Sequence, residues 1–202
     1  MNYFWAILSG YLIGSVSFGI IVTKLYKGID IRDYGSGNTG FTNVMRTIGK
    51  GPSILVLIGD TLKGILGVMI GFYLGDTYCA VLGGLATMLG HTYPLFFQFR
   101  GGKGVATGLG VGLSLAPDVL LLALLIFLLV TRLSRYVSLG SIVAALSVPL
   151  MMIVFAKDLP VILFGICGAS FVIYRHKANI WRIYHGTENK IGASKNKEEG
   201  GR

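Results

Sequence analysis

Seven apolar stretches separated by polar strings occupy most of the chain, at residues 3–23, 53–74, 78–97, 105–115, 119–130, 137–155 and 159–174. Runs this long imply bilayer-crossing helices: lipid offers no partner to an unpaired backbone N–H or C=O, and a helix pairs its own. A full crossing takes about 20 residues, so the fourth and fifth stretches are short. With Pro117 and Asp118 between them, they read as a hairpin of short, tilted or partly re-entrant helices. The predicted fold is all-α, a polytopic integral membrane protein with about seven transmembrane helices, as a single domain over residues 1–191. Residues 192–202 read as a flexible polar tail, since no large apolar residue anchors them.

Composition points the same way. The 202 residues are 53% hydrophobic and only 13% charged, and the mean hydropathy is +0.69. The first stretch reads as a span rather than a secretory signal. Residues 1–5 carry no Lys or Arg, so the basic start of a signal is missing. Tyr3 and Trp5 suit the interfacial aromatic belt.

Charge predicts orientation. Five of the 18 Lys and Arg fall after the first stretch (Lys24, Lys27, Arg32, Arg46, Lys50). Arg100 and Lys103 follow the third, Arg132 and Arg135 follow the fifth, and seven follow the last (Arg175, Lys177, Arg182, Lys190, Lys195, Lys197, Arg202). Alternation through seven spans puts all of these on one face. Lys63 sits inside the second span, and Lys157 alone lies opposite. The positive-inside rule makes the basic face cytoplasmic, with the N-terminus outside and the C-terminus inside. The net charge of +9 is thus spread along a membrane edge with no nucleic-acid module, so membrane lipids are the expected partners and nucleic acid is not. Cys79 and Cys167 fall in apolar stretches as small hydrophobes. The three histidines lack metal-ligand spacing and no Gly-x-Ser-x-Gly elbow occurs, which argues against a zinc hydrolase and a triad esterase and implies no metal.

Three donor-rich strings on the basic face carry the candidate chemistry. The first holds Gly35, Ser36, Gly37, Asn38 and Gly40, then Thr42, Asn43 and Arg46. Its glycine spacing formally fits a dinucleotide fingerprint, but no βαβ unit surrounds it. Clustered glycines let backbone N–H groups converge on an anion, and an arginine grips phosphate through paired bonds. The plainer reading is an ordinary flexible loop. The second string is Arg100, Gly101, Gly102, Lys103 and Gly104. It lacks the Ser/Thr after Lys that a nucleotide loop requires, so neither nucleotide nor magnesium is implied. It does open an apolar helix, whose N-terminus attracts anions. The plainer reading is a loop lysine obeying the charge rule. In the third, His176, Asn179 and Arg182 recur at three-residue steps, with Ile180 and Trp181 beside head groups. A plain interfacial anchor is the alternative.

Polar residues also sit inside spans. Asp60 and Lys63 lie three apart on one helix face. Charges at that depth pair or line a polar cavity, and mutual pairing is the simpler account. His91 reads as a supporting structural histidine. Ser141 faces the same pocket or bonds its own backbone.

In chain order, GSGNTGFTNVMR (35–46), GDTLKG (59–64), GHTYPLFFQFRGGKGVAT (90–107), RYVSLGS (135–141) and HKANIWRI (176–183) resemble the bacterial membrane glycerol-3-phosphate acyltransferases that use acyl phosphate. The resemblance spans nearly the whole chain. It implies transfer of a fatty acyl group from acyl phosphate to the sn-1 hydroxyl of glycerol 3-phosphate. The products would be lysophosphatidate and inorganic phosphate, formed without a cofactor at the cytoplasmic face of the bacterial inner membrane. No obligatory protein partner is implied. By carry-over, Ser36, Arg46, Lys103, Ser141, His176 and Asn179 line the active site. Arg46 and Lys103 would hold phosphate, while Ser141, His176 and Asn179 would orient the glycerol hydroxyl. A transporter of organic phosphates and a receptor for anionic lipid are the competing classes, but a transporter places its site near the midplane between repeats.

Overall fold

The computed structural model describes residues 1–192 and is all-helical over that range. Ten α-helices follow in order: α1 Asn2–Gly14, α2 Phe18–Lys27, α3 Phe41–Thr47, α4 Lys50–Leu74, α5 Thr77–Thr92, α6 Val105–Leu115, α7 Pro117–Ser134, α8 Val137–Val154, α9 Leu159–Arg175 and α10 Lys177–Tyr184. The tail expected at 192–202 lies outside the described residues from 193 onward.

Five stretches are long and apolar enough to cross a membrane: Asn2–Lys27, Lys50–Leu74, Thr77–Phe97, Pro117–Ser134 and Val137–Val154. The pair α9 and α10, bent by 56°, makes a sixth, and α6 is a shorter apolar helix. Two sequence boundaries need correction. The first stretch is broken at Ser15–Ser17, where α1 ends and α2 begins. The fifth is not short: α7 has 18 residues. Pro117 starts it, because a helix's first position needs no N–H. Its last turn continues through Thr131 and Arg132, polar residues that hydropathy alone had cut away.

Side chains sort as they do in lipid. On α4, Ile54, Ile58, Leu62, Leu66 and Met69 are exposed, while Gly59, Asp60, Lys63, Gly64 and Gly67 face inward. Small residues bring helices together where lipid supplies no drive for apolar association. A Cβ on Gly10 of α1 would lie only 2.3 Å from the Gly83 carbonyl oxygen of α5.

Helices α1, α4 and α5 pack mutually, and α6 lies along α4. Helix α8 sits between α7 and α9, and α9 leans on α5 and α6. The two groups enclose a cleft between them. A second core of Ile20, Val22, Ile31, Val44 and Val56 lies apart from the main one and supports the segment from α2 to α3.

Candidate active site

At one end of the bundle, two cavities meet. The larger, about 650 Å³, runs from a polar mouth down an apolar cleft between α6, α7, α8 and α9. Its mouth carries Ser36, Arg46, Lys103, Ser141, His176, Asn179, Arg182 and Glu188, and its depth Leu109, Leu120, Ala123, Ala145, Val148 and Phe164. The smaller, about 400 Å³, is lined by Arg100, Arg175 and Arg182 with Tyr93 and Phe99. Ser36, Asn38, Lys103, Asn179 and Arg182 border both. Strings separated by more than a hundred residues thus converge.

The first glycine loop is built around one side chain. Gly35 (φ 62°) and Gly37 (φ 69°) take left-handed conformations that glycine adopts freely. Buried Asn43 gives its amide to the carbonyls of Tyr34 and Asn38, both at 2.9 Å, and accepts from the Ser36 N–H at 2.9 Å. A Cβ on Gly35 would lie 2.2 Å from Asn43 Oδ1. Asn43, read from the sequence as a donor to phosphate, borders the larger cavity while its amide is spent on shaping the loop. The N–H groups of Gly37 and Gly40 are also taken internally, by the Tyr34 carbonyl at 3.0 Å and Asn38 Oδ1 at 2.9 Å. What faces the cavities is the Ser36–Asn38 edge, with Gly35, Gly40, Thr42, Asn43 and Arg46 beside it.

The second loop behaves alike. Gly101 and Gly102 donate to the carbonyls of Thr92 and His91, each at 3.1 Å, which docks the turn against the end of α5. Gly104 (φ 82°) then opens α6, whose N-terminus has no side-chain cap, and Val105 and Ala106 of its first turn line the larger cavity. Lys103 reaches over the cavity to Asn179 Oδ1 at 2.5 Å. Burial, set against the pull of Glu188, pushes the Lys103 ammonium down to about 8. Arg100 and Gly101 line the smaller cavity. Gly102 lies behind the loop and lines neither.

In the third string, the bend between α9 and α10 turns His176 and Asn179 inward. His176 Nδ1 lies 2.7 Å from the Val172 carbonyl, which fixes the proton on Nδ1 and leaves the Nε2 lone pair free. Ser141 donates to the Val137 carbonyl at 3.0 Å, the backbone bond anticipated for it, and still lines the mouth.

Residues 4–186 match the glycerol-3-phosphate acyltransferase family. The chain belongs to that family. It is 49% identical over 94% of its length to the glycerol-3-phosphate acyltransferase of Desulforamulus reducens, with 95% of that protein covered. Against the one from Carboxydothermus hydrogenoformans it is 46% identical over 95% of the chain and 97% of the relative. Two crystal structures of PlsY (YgiH), an integral membrane glycerol 3-phosphate acyltransferase, in glycerol 3-phosphate and lysophosphatidic acid forms, give TM-scores of 0.90 and 0.89. Their identities are 41% and 40%, and each comparison covers 95% of this chain and 96% of the other. This is an integral membrane enzyme of the glycerol-3-phosphate acyltransferase family.

Glu188 is the residue that sequence reading passed over. Its Oε1 accepts from Ser138 Oγ at 2.8 Å and Asn179 Nδ2 at 2.7 Å, and its Oε2 from Arg182 Nε at 2.7 Å. Burial alone would raise its pKa, but these donors outweigh burial and hold the carboxyl below its ordinary range. Next to it, the Asn189 carbonyl accepts from Arg46 at 3.2 Å, and Ile191 N–H donates to the Arg135 carbonyl at 2.8 Å. The segment after α10 thus straps the site from Arg46 to Arg135. Arg175, over the Tyr93 ring at 5.3 Å, was likewise counted only for topology. The one available signal for Glu188 was an isolated acid just beyond a basic helix.

Proposed function

We propose that this enzyme moves a fatty acyl group from acyl phosphate to the sn-1 hydroxyl of glycerol 3-phosphate, releasing lysophosphatidate and inorganic phosphate. The observation that carries this reading is the join between an arginine-lined polar cavity and a long apolar cleft, with Lys103 and Asn179 in their common wall. One substrate is small and anionic, and the other is an anion with a hydrocarbon tail. The smaller cavity suits glycerol 3-phosphate. The mouth of the larger suits the donor's phosphate, and its depth the acyl chain. That PlsY has been crystallised in glycerol 3-phosphate and lysophosphatidic acid forms supports the same pair of ligands here.

Acyl phosphate is a mixed anhydride with a good leaving group. The glycerol oxygen attacks the acyl carbonyl carbon, the carbon–oxygen bond to phosphorus breaks, and phosphate departs. The hydroxyl proton ends on that phosphate, either directly or through the unprotonated Nε2 of His176. Arg46, Lys103 and the α6 N-terminus stabilise charge on the departing group. Asn179, held between Lys103 and Glu188, and Ser141 position the hydroxyl, and positioning supplies much of the acceleration. The basic mouth faces the cytoplasm of a bacterial inner membrane in this reading, by the charge rule. The test compares acyl phosphate with acyl-coenzyme A as donor to purified, reconstituted protein, following lysophosphatidate and phosphate. Production from acyl-coenzyme A alone would overturn the donor assignment. Binding without turnover would overturn the reaction.

A further inference from the structure

Behind Lys103 lies a buried charged group, Lys63, Asp60 and His91, of which Asp60 and His91 also border the larger cavity. Lys63 Nζ donates to the Val16 carbonyl at 2.8 Å, in the break between α1 and α2, and pairs with Asp60 Oδ1 at 2.8 Å. The same carboxylate oxygen lies 3.3 Å from His91 Nδ1. All three side chains are at most 5% exposed. The opposite edge of the His91 ring abuts the glycine turn. A Cβ built on Gly102 would fall 2.0 Å from His91 Nε2 and 2.7 Å from Cε1. The turn is also bonded to this end of α5 through the His91 and Thr92 carbonyls.

Stability alone is a poor reason for such a group. A buried ion pair contributes little net stability over apolar packing, and charges within a span are costly. What the arrangement does supply is fixed direction. Asp60 Oδ1 stands 3.3 Å from Nδ1 on one edge of the imidazole, the other edge sets how close Gly102 can approach, and the next residue is Lys103.

We propose that Asp60 and His91 are positioning residues: the ring, held by Asp60, sets the 101–104 turn so that the Lys103 ammonium spans the cleft to Asn179. This rests on the reading of the mouth as a site for phosphorylated substrates. A displacement of about 1 Å at a reacting group costs on the order of 100-fold in rate, so the ring governs catalysis through the turn.

The ring–glycine contact gives a compensating pair. In the full-length reconstituted enzyme, Gly102→Ala forces the methyl into the ring and lowers kcat/KM by about 100-fold, the cost of such a displacement. His91→Ala lowers it by about tenfold, since the turn keeps its backbone bonds but loses its stop. The double variant returns to the level of His91→Ala alone, because the methyl then enters the space the ring vacated. Such recovery is a departure from additivity reserved for groups in contact. Losses that simply multiply in the double variant overturn the proposal.

A second readout separates positioning from folding. The basic limb of the kcat/KM profile reports Lys103, which faces Asn179 and Glu188 and feels Arg46, Arg175 and Arg182. That limb moves in His91→Asn and Asp60→Asn if the turn has shifted. Reduced activity with an unmoved limb overturns the positioning role. Glycerol 3-phosphate binding to the same variants, without donor, is the third measurement. Wild-type protein that binds glycerol 3-phosphate but does not turn over acyl phosphate would sink the functional reading. The coupling between residues 91 and 102 would still show in the binding constants, and its absence there overturns the proposal.

Discussion

Replacing Lys103 with Met removes the charge in the wall between the two cavities while keeping most of the side chain's length. At about 4 Å and an effective dielectric of about 20, two unit charges interact by ~4 kcal/mol. Neighbouring Arg182, Arg175 and Arg46 already share the local field, so the net loss is nearer that of a deleted charge-assisted hydrogen bond, ~2–3 kcal/mol. At 1.36 kcal/mol per decade, kcat/KM falls about 30- to 150-fold. The pH profile adds a signature. Burial pushes this lysine down to about 8, so its cation is present below that pH and is lost as pH rises through it. Wild-type kcat/KM therefore drops above about pH 8, approaching tenfold per unit. Lys103→Arg keeps a guanidinium charged throughout, and the limb disappears even where activity is lower. Phosphate release from acyl phosphate and glycerol 3-phosphate, measured from pH 6 to about pH 10, is the assay. A Lys103→Met enzyme within twofold of wild type, or a Lys103→Arg enzyme with the same limb, would refute the charge role.

Asn43→Ala leaves the loop carbonyls of Tyr34 and Asn38 without their donor, costing ~2–4 kcal/mol of loop order; it raises KM for phosphorylated substrate more than it lowers Tm, and equal turnover parameters would contradict the staple. Val148→Phe places a ring in the cleft seven residues beyond Ser141, about 10 Å along α8. Donor preference then shifts to shorter acyl phosphates, read from kcat/KM across chain lengths, and an unchanged profile would remove the chain from this cleft. Glu188→Gln tests the strap through acid stability. A carboxyl held below its ordinary range adds stability that is full at neutral pH and fades as pH falls through its lowered pKa. The variant therefore loses that segment of the acid unfolding curve, while an identical curve would mean that Glu188 is not anchored.

The spans were legible because lipid enforces a simple rule, and a polar string between apolar runs marks a helix end. What hydropathy could not see was backbone detail. The break at Ser15–Ser17 hides within an apolar average, and α7 extends past its last leucines because its polar final turn remains helical. Residue types such as Arg46, Lys103, His176 and Asn179 announce their chemistry, and all four line the mouth. Whether a donor faces a ligand or its own loop is a matter of geometry, so Asn43 looked like a binding group. Gly102 counted as a phosphate contact, but it lines neither cavity and abuts the His91 ring. Glu188 sits in a composition that reads as tail, and only the return of the chain over α8 and α10 gives it partners.

Leu128 lines the large cavity and is nonetheless 55% exposed on the outer face of α7. At Leu128 the cleft wall is thus shared with the outer surface of the helix bundle. If a tailed substrate of the proposed reaction enters there from the leaflet, its chain stays immersed in oil from start to finish. Turnover would then answer to the fluidity and thickness of the host bilayer as well as to dissolved substrate.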